Sequence, residues 1–277
     1  MQSTEDNSIV MGMTNQNLEQ ALAITKSAVN EAGEELIKHY GNVEASTKSA
    51  TGSNVTDIVT ALDGKMEDLL ADRLSKFDSA IGFRGEESGV RTEAGTTWLV
   101  DPIDGTSHFV RGIPFCTTMV ALIEDGQVVM SVIHDFVHKD TYWAIKGRGA
   151  FKNDSPISVS QRPLNQSLVS FETHLEKPEN YEKYLEVRRK AGIIATINCG
   201  FEFAMIASGK LDGRIGLDPY GMDWDFAPGS LLVSEAGGVA ANIGKTTYDY
   251  KNHDFLITNA QVYDELTSGA NAIFSLK

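Results

Sequence analysis

The 277-residue chain is short of cysteine and of positive charge, and it lacks any long apolar run. Its two cysteines, Cys116 and Cys199, stand in apolar surroundings without the spacing of a zinc site or a disulfide framework, so buried reduced thiols and a cytoplasmic setting are expected. No window sustains the ~18 apolar residues that a bilayer span requires. The first residues, MQSTEDNSIVMGMTNQN, carry early acids and no apolar core of signal-peptide type. Lys and Arg total 24 against 38 Asp and Glu, a net charge of −14 that repels nucleic acid and anionic membrane alike, so neither is an expected partner. Neither GxSxG nor GxxxxGK[ST] occurs, which excludes a nucleophile elbow and a P-loop.

What is present concentrates in Trp98–Pro114, WLVDPIDGTSHFVRGIP. An apolar run, Trp98-Leu99-Val100, stops at Asp101, and Asp104 follows across Pro102. Like charges close together in a partly dry site raise each other's pKa unless a cation or strong donors compensate. Hard oxygen ligands on a short, stiff turn suit Mg²⁺. Pro102 fixes φ, Gly105 permits close approach or positive φ, and Thr106 presents a hydroxyl nearby. An isolated DPxD is also compatible with a turn whose acids face water.

In chain order, residues 1 to about 15 read as a poorly ordered lead-in in which Ile9, Val10 and Met11 could pack. An amphipathic helix follows from Asn17 to about Tyr40, stopped by Gly41. The Ser-, Thr- and Gly-rich stretch 42–55 reads as a loop, and its Lys48 is either a surface lysine or a cation that meets a phosphate or an acid. TDIVTALDGKMEDLLADRLSKF, from Thr56 to Phe77, reads as a short extended segment and a second helix, with Met66, Leu69, Leu70 and Leu74 on its apolar face; Asp63 could be a cap at its start. Residues 116–123 and 127–134 form a hairpin across Asp125-Gly126, and Tyr142–Ile145 is a further strand. The polar stretch 161–180 reads as a boundary, dividing one compact unit into 1–160 and 161–277. Beyond it come a helix near 180–190, a strand near 192–197, the apolar helix FEFAMIAS and the strand LDGRIGLD. In WDFAPGSLLVSEAGG, Asp225 lies near a helix N-terminus, where it could cap or bind metal, and Pro228 is expected in the first helical turn, where its missing N–H costs nothing.

WLVDPIDGTSHFVRGIP, WDFAPGSLLVSEAGG and GEES at Gly85–Ser88 occur together in an order that resembles the inositol monophosphatase family of Mg²⁺-dependent, lithium-sensitive sugar phosphatases. The resemblance runs from about residue 17 to the C-terminus. It implies an α+β fold with layers α-β-α-β-α, two sheets sandwiched by helices, and a homodimer. It implies two or three Mg²⁺ ions, with Glu86, Asp101 and the Ile103 carbonyl on the first, Asp101, Asp104 and Asp225 on the second, and a weaker third near Glu86. Thr106, oriented by Asp63, would act on a water that Glu86 also orients. Gly105 and Thr106 amides would grip phosphate, with Cys199, Asp218 and Asp225 on the substrate.

The substrate expected is a small phosphorylated polyol. Asp218 falls where inositol-acting members carry a glutamate, whereas Phe201 and Glu202 stand where alanine is usual. DGTSHF lacks the DGTKEF form of 3′-phosphoadenosine phosphatases, and His108 replaces a common asparagine as a supporting or surface residue. Arg111 could reach a substrate phosphate, a neighbouring subunit or solvent. Inositol monophosphate ranks first, ahead of histidinol phosphate and fructose 1,6-bisphosphate; a non-catalytic sugar-phosphate-binding regulatory dimer is the reading from a different class.

Overall fold

The computed structural model describes residues 13–44, 46–47, 58–92 and 94–276. The lead-in through residue 12, Lys48, and Thr56 and Asp57 of TDIVTALD lie outside them. Helix α1 (Asn15–Leu36) is capped by Thr14, whose hydroxyl accepts from the Asn17 amide at 3.2 Å. It stops short of the expected Tyr40, because the chain turns to bring the Gly41 amide onto the Phe109 carbonyl at 2.9 Å. A two-residue pair, β1 (Ser46–Thr47) with β2 (Ile58–Val59), precedes α2 (Ala61–Ser75). Thr60 starts that helix through a capping box with Asp63. Leu62, Met66, Leu70 and Leu74 then recur at i+4 and are buried, each contributing about 1.5–3 kcal/mol.

The first sheet contains β3 (Gly82–Gly85), β4 (Gly89–Thr92), β5 (Thr96–Asp104), β6 (Thr117–Glu124), β7 (Gln127–Asp135), β8 (Asp140–Ile145), β9 (Ala150–Lys152) and β10 (Ser155–Ile157), with the short helix α3 (Thr106–Phe109) after β5. Its order is β10-β9-β8-β7-β6-β5-β3-β4. Only the β3–β5 pairing is parallel. The expected hairpin is β6–β7, closed at Asp125-Gly126 with φ of 47° and 77°, the left-handed pair that an Asp-Gly turn favours.

The second sheet is built from β11 (Leu168–Thr173), β12 (Gly192–Ile194), β13 (Gly213–Leu217), β14 (Val239–Asn242) and β15 (Phe255–Thr258), in the order β12-β11-β13-β15-β14. Helices α4 (Pro178–Arg188), α5 (Cys199–Ala207), α6 (Asp223–Glu235) and α7 (Ala260–Thr267) accompany it. β11 falls inside the polar stretch expected to be a boundary. Its apolar Val169 and Phe171 alternate with Ser170, whose hydroxyl is satisfied by Glu202, so no apolar run betrays it.

Period-two alternation produces the layers. On β5, Trp98 and Val100 face α1 and α2, while Leu99 packs with Ala227 of α6 on the opposite face. On β6, Val120 and Leu122 face α1 and α2, and Met119 faces α5 and α6. On β15, Phe255 and Ile257 join that same middle layer, whereas Leu256 joins Val187 of α4 and Val262 and Leu266 of α7. The result is α1/α2, sheet, α5/α6, sheet, α4/α7, as expected. Pro228 is a correction: α6 begins at Asp223, so Pro228 is past the first turn and its missing N–H removes one helical hydrogen bond. No described helix is long and apolar enough to cross a membrane.

Candidate active site

The carboxylates gather where β5 ends against the middle helices. In a regular strand, residues three apart point to opposite faces. Here the β5–β6 register shifts between Asp101 and Asp104: Asp101 opposes Met119 and Asp104 opposes Thr117. This bulge at Pro102 gives β5 one extra residue, which turns Asp104 to the same side as Asp101. The Ile103 amide donates to Asp101 Oδ1 at 3.0 Å, and the Thr118 hydroxyl donates to the Pro102 carbonyl at 2.9 Å, so the bulge is pinned from both sides.

Asp104 Oδ2 accepts from the Gly200 amide at 2.7 Å and from Thr117 Oγ1 at 2.9 Å; Oδ1 accepts from the Cys199 amide at 3.3 Å. The start of α5 therefore holds this acid. Asp225, in the first turn of α6, accepts from the Met222 amide at 2.6 Å. It is at once a helix cap and a member of the cluster. Ligating atoms of Asp104, Cys199 and Asp225 lie within 4.8 Å of one another.

Burial raises the Asp101 carboxyl well above its ordinary range, and the charges of Glu86, Asp104 and Asp225 raise it further. Asp225 is raised well above its range by burial, then by Asp104 and Glu86. Asp104 is raised by burial, but the Gly200 amide, Thr117 and Arg214 oppose the rise. This donor set fits Mg²⁺: hard oxygens converge and their own charge has too little compensation within the protein. The Cys199 thiol at its edge is pushed up by burial.

Asp63 reaches the same place from α2. Its Oδ2 accepts from the Thr60 amide at 2.8 Å and from the Thr60 hydroxyl at 2.7 Å, leaving Oδ1 to meet Thr106 Oγ1 at 2.9 Å. The Ile103 carbonyl lies at the same distance from that hydroxyl. Gly105 precedes α3 with φ 85°, and a Cβ there would collide with the Asn198 amide. Asn198 itself caps α5 and donates to the carbonyls of Asp104 and Phe115.

Glu86 follows β3, with its amide on the Val100 carbonyl at 3.1 Å. Its turn is held by Glu67, a fully buried residue of α2, which accepts from the amides of Glu87 and Ser88 at 2.8 and 3.1 Å. Any side chain at Gly85 would meet that carboxylate. Glu67 and Asn198 were not singled out from the sequence. A glutamate on a helix face and a polar residue before an apolar helix have no local signature of these distant partners.

Asp218 stands apart from the carboxylate contacts. It takes φ 53°, accepts from Asn180 Nδ2 at 3.1 Å, and pairs with Lys177, whose ammonium holds the Asp218 carboxyl below its usual range. Behind Gly105 lies a cavity of about 460 Å³ bordered by Ser107, His108, Arg111, Thr196 and Ile197. Arg111 donates to the Ser107 carbonyl at 2.6 Å and has no carboxylate within ion-pair distance among the described residues. Burial and Arg111 lower the pKa of His108, which keeps it neutral.

The model of the inositol monophosphatase family matches residues 17–273. An inositol-1-monophosphatase of Rhizobium meliloti (strain 1021) is 35% identical over 226 residues, 78% of this chain and 83% of the relative. A fructose-1,6-bisphosphatase/inositol-1-monophosphatase of Thermotoga maritima is 28% identical over 249 residues, 88% of this chain and 93% of the relative. The crystal structure of the extragenic suppressor protein suhB of Bartonella henselae superposes with a TM-score of 0.78 at 29% identity, covering 87% of this chain and 95% of that one. The family match and the fold agree, and the chain belongs to the inositol monophosphatase family, as a phosphoric monoester hydrolase.

Proposed function

We propose that the protein is a Mg²⁺-dependent phosphomonoesterase of a small polyol or sugar phosphate, with inositol monophosphate as its first candidate substrate. The observation that carries this reading is the convergence of the buried Asp101 and Asp104 with the half-buried Asp225, and with Glu86 beside them: Asp101 and Asp225 are raised by desolvation and by their acidic neighbours, and Asp104 by burial. Glu86, Asp101, the Ile103 carbonyl, Asp104 and Asp225 would hold two or three ions. When bound, Mg²⁺ supplies charge stabilisation for the phosphoryl and leaving oxygens and lowers the pKa of water.

The chain's own residues do the rest. Thr106 Oγ1 donates its proton to Asp63 Oδ1, which leaves an oxygen lone pair to accept from the attacking water and aim it. Asp63 is kept in place by both Thr60 donors, so it acts as an orienting acceptor. Gly105 and Thr106 amides, at the turn where the chain enters α3, bind phosphate oxygens. Cys199 and Asp225 border the leaving group, and Asp218, just past β13, would bind a substrate hydroxyl in place of its Lys177 contact. A homodimer, lithium sensitivity and a cytoplasmic setting belong to the same reading.

A second reading, fructose-1,6-bisphosphatase activity, is favoured by one observation. Arg111 is a cation without a carboxylate partner among the described residues, beside Gly105 and at a cavity that admits a second phosphoryl group. The name of the Thermotoga maritima relative, which pairs both activities, supports it. Phosphate release from myo-inositol 1-phosphate, histidinol phosphate and fructose 1,6-bisphosphate, assayed in parallel with Mg²⁺ and with EDTA, separates these readings. No release from any of them by folded, Mg²⁺-loaded protein would overturn both and favour a non-catalytic sugar-phosphate-binding dimer.

A further inference from the structure

Arg84 is the one β3 side chain that crosses to the middle layer. Phe83 faces α1 and α2, and alternation sends Arg84 to the opposite face. There its guanidinium lies 2.5 Å from Asp223 Oδ2 and 5.4 Å from the centre of the Trp224 ring. Asp223 is 3% exposed, and its second oxygen has no hydrogen-bond partner. Arg84 is thus the sole ion-pair partner of a buried carboxylate among the described residues.

The position of the pair gives it a role beyond stability. Arg84 precedes Glu86 by two residues, and Asp223 precedes Asp225 by two. Helix α6 is anchored by apolar contact to β5, β6, β7 and β8, but no residue of β3 belongs to the apolar clusters that α6 joins. The Glu86 end of β3 leans on β5 through the Val100 carbonyl and on α2 through Glu67, and this ion pair, beside the Trp224 ring, is a direct tie from it to the helix that carries Asp225.

We propose that Arg84 and Asp223 form a positioning strut that sets the separation of the Glu86 and Asp225 carboxylates, and so the affinity of the site for divalent metal. This rests on the reading of Glu86 and Asp225 as metal ligands. Arg84 touches no substrate; it acts through the two acids. Because the strut is a salt bridge between neighbouring elements, its two halves act as a unit.

The test is Mn²⁺ binding, an octahedral stand-in for Mg²⁺, followed by loss of the free-ion paramagnetic resonance signal in wild type, Arg84→Met, Asp223→Asn, the double variant and Arg84→Lys. The expected result is about tenfold weaker binding in each single variant, the size typical of groups that orient ligands. The double variant should be no worse than either single one, and Arg84→Lys should recover part of the loss. Saturating Mg²⁺ should return kcat toward the wild-type value while the dissociation constant stays raised. A folded Arg84→Met with wild-type Mn²⁺ affinity would overturn the strut, whatever its melting temperature. Where Arg84→Met does not fold, Asp223→Asn, which keeps the volume and removes the charge, decides in the same way. Wild-type protein that binds no Mn²⁺ would instead refute the ligand reading itself, and the strut with it.

Discussion

On one side of Cys199, the buried Asp101 and Asp104 meet the half-buried Asp225; all three carboxyls are raised by desolvation, and Asp101 and Asp225 also by their acidic neighbours. On the other side Arg214, 1% exposed, lies between Glu202 and Glu172, with its Nη2 3.2 Å from the Cys199 sulfur. Glu202 also accepts from the Ser170 hydroxyl at 2.7 Å and the Ile197 amide at 2.6 Å. Both regions take charge out of water, which is costly unless the charge is paired. The Arg214 network supplies its own counter-ions. The aspartate cluster has fewer: Arg214 and backbone donors offset part of the rise at Asp104, while Asp101 and Asp225 must take up protons or be completed by a cation. The contrast separates a structural ion network from a site.

The largest way to break the comparison is to remove an acid from the centre of the cluster. Asp104→Asn should lower kcat/KM by roughly three powers of ten, since a lost ligand forfeits several kcal/mol of charge stabilisation. Its melting temperature in EDTA should fall by about 2–4 °C, because the amide N–H₂ is turned toward one of the donors that Asp104 accepts from. Arg214→Met should do the reverse: urea denaturation should show a loss of about 3 kcal/mol, because Glu202 is left buried and unpaired. Thr106→Val tests the water-orienting hydroxyl, with kcat falling about 10²-fold while Mn²⁺ affinity holds.

Asp101→Asn sharpens the contrast in the other direction. It should stabilise metal-free protein by about 1 kcal/mol while abolishing turnover, as relief of a strained site does. The pH dependence follows with a definite sign. Asp101 and Asp225 have folded-state pKa values above their ordinary value of 3.8, so the folded protein binds protons that the unfolded chain does not. Their contribution makes metal-free protein more stable as pH falls from neutral through those raised values. Surface acids such as Glu35, lowered to about 2 by Lys65 and Lys38, act oppositely. The quantity to measure is therefore the gap in melting temperature between wild type and Asp101→Asn in EDTA, which should narrow as pH falls.

The sequence reading reached the parts of this molecule that are written locally. The Asp125-Gly126 hairpin, the periodic faces of α1 and α2 and the DPID turn each carry their signal within a few residues. Asp63 and Asp225 were legible as both caps and site acids, and both are caps in the structure. What the sequence hid depends on partners far along the chain. Glu67 reads as one more helical acid until Gly85 and the Glu87 amide close on it. Arg214 sits in an ordinary-looking strand, and its two acids come from β11 and α5. Strand β11 escaped because its inward residues are polar and are satisfied only across the middle layer. The β5 bulge was also hidden, since a register shift exists only against the partner strand.

The most direct test of the account is phosphate release from myo-inositol 1-phosphate by EDTA-treated protein before and after Mg²⁺ is restored. The account predicts no turnover without the ion and full recovery with it, because the aspartate cluster is completed only by a divalent cation. Turnover that is the same in EDTA and in Mg²⁺ would contradict it.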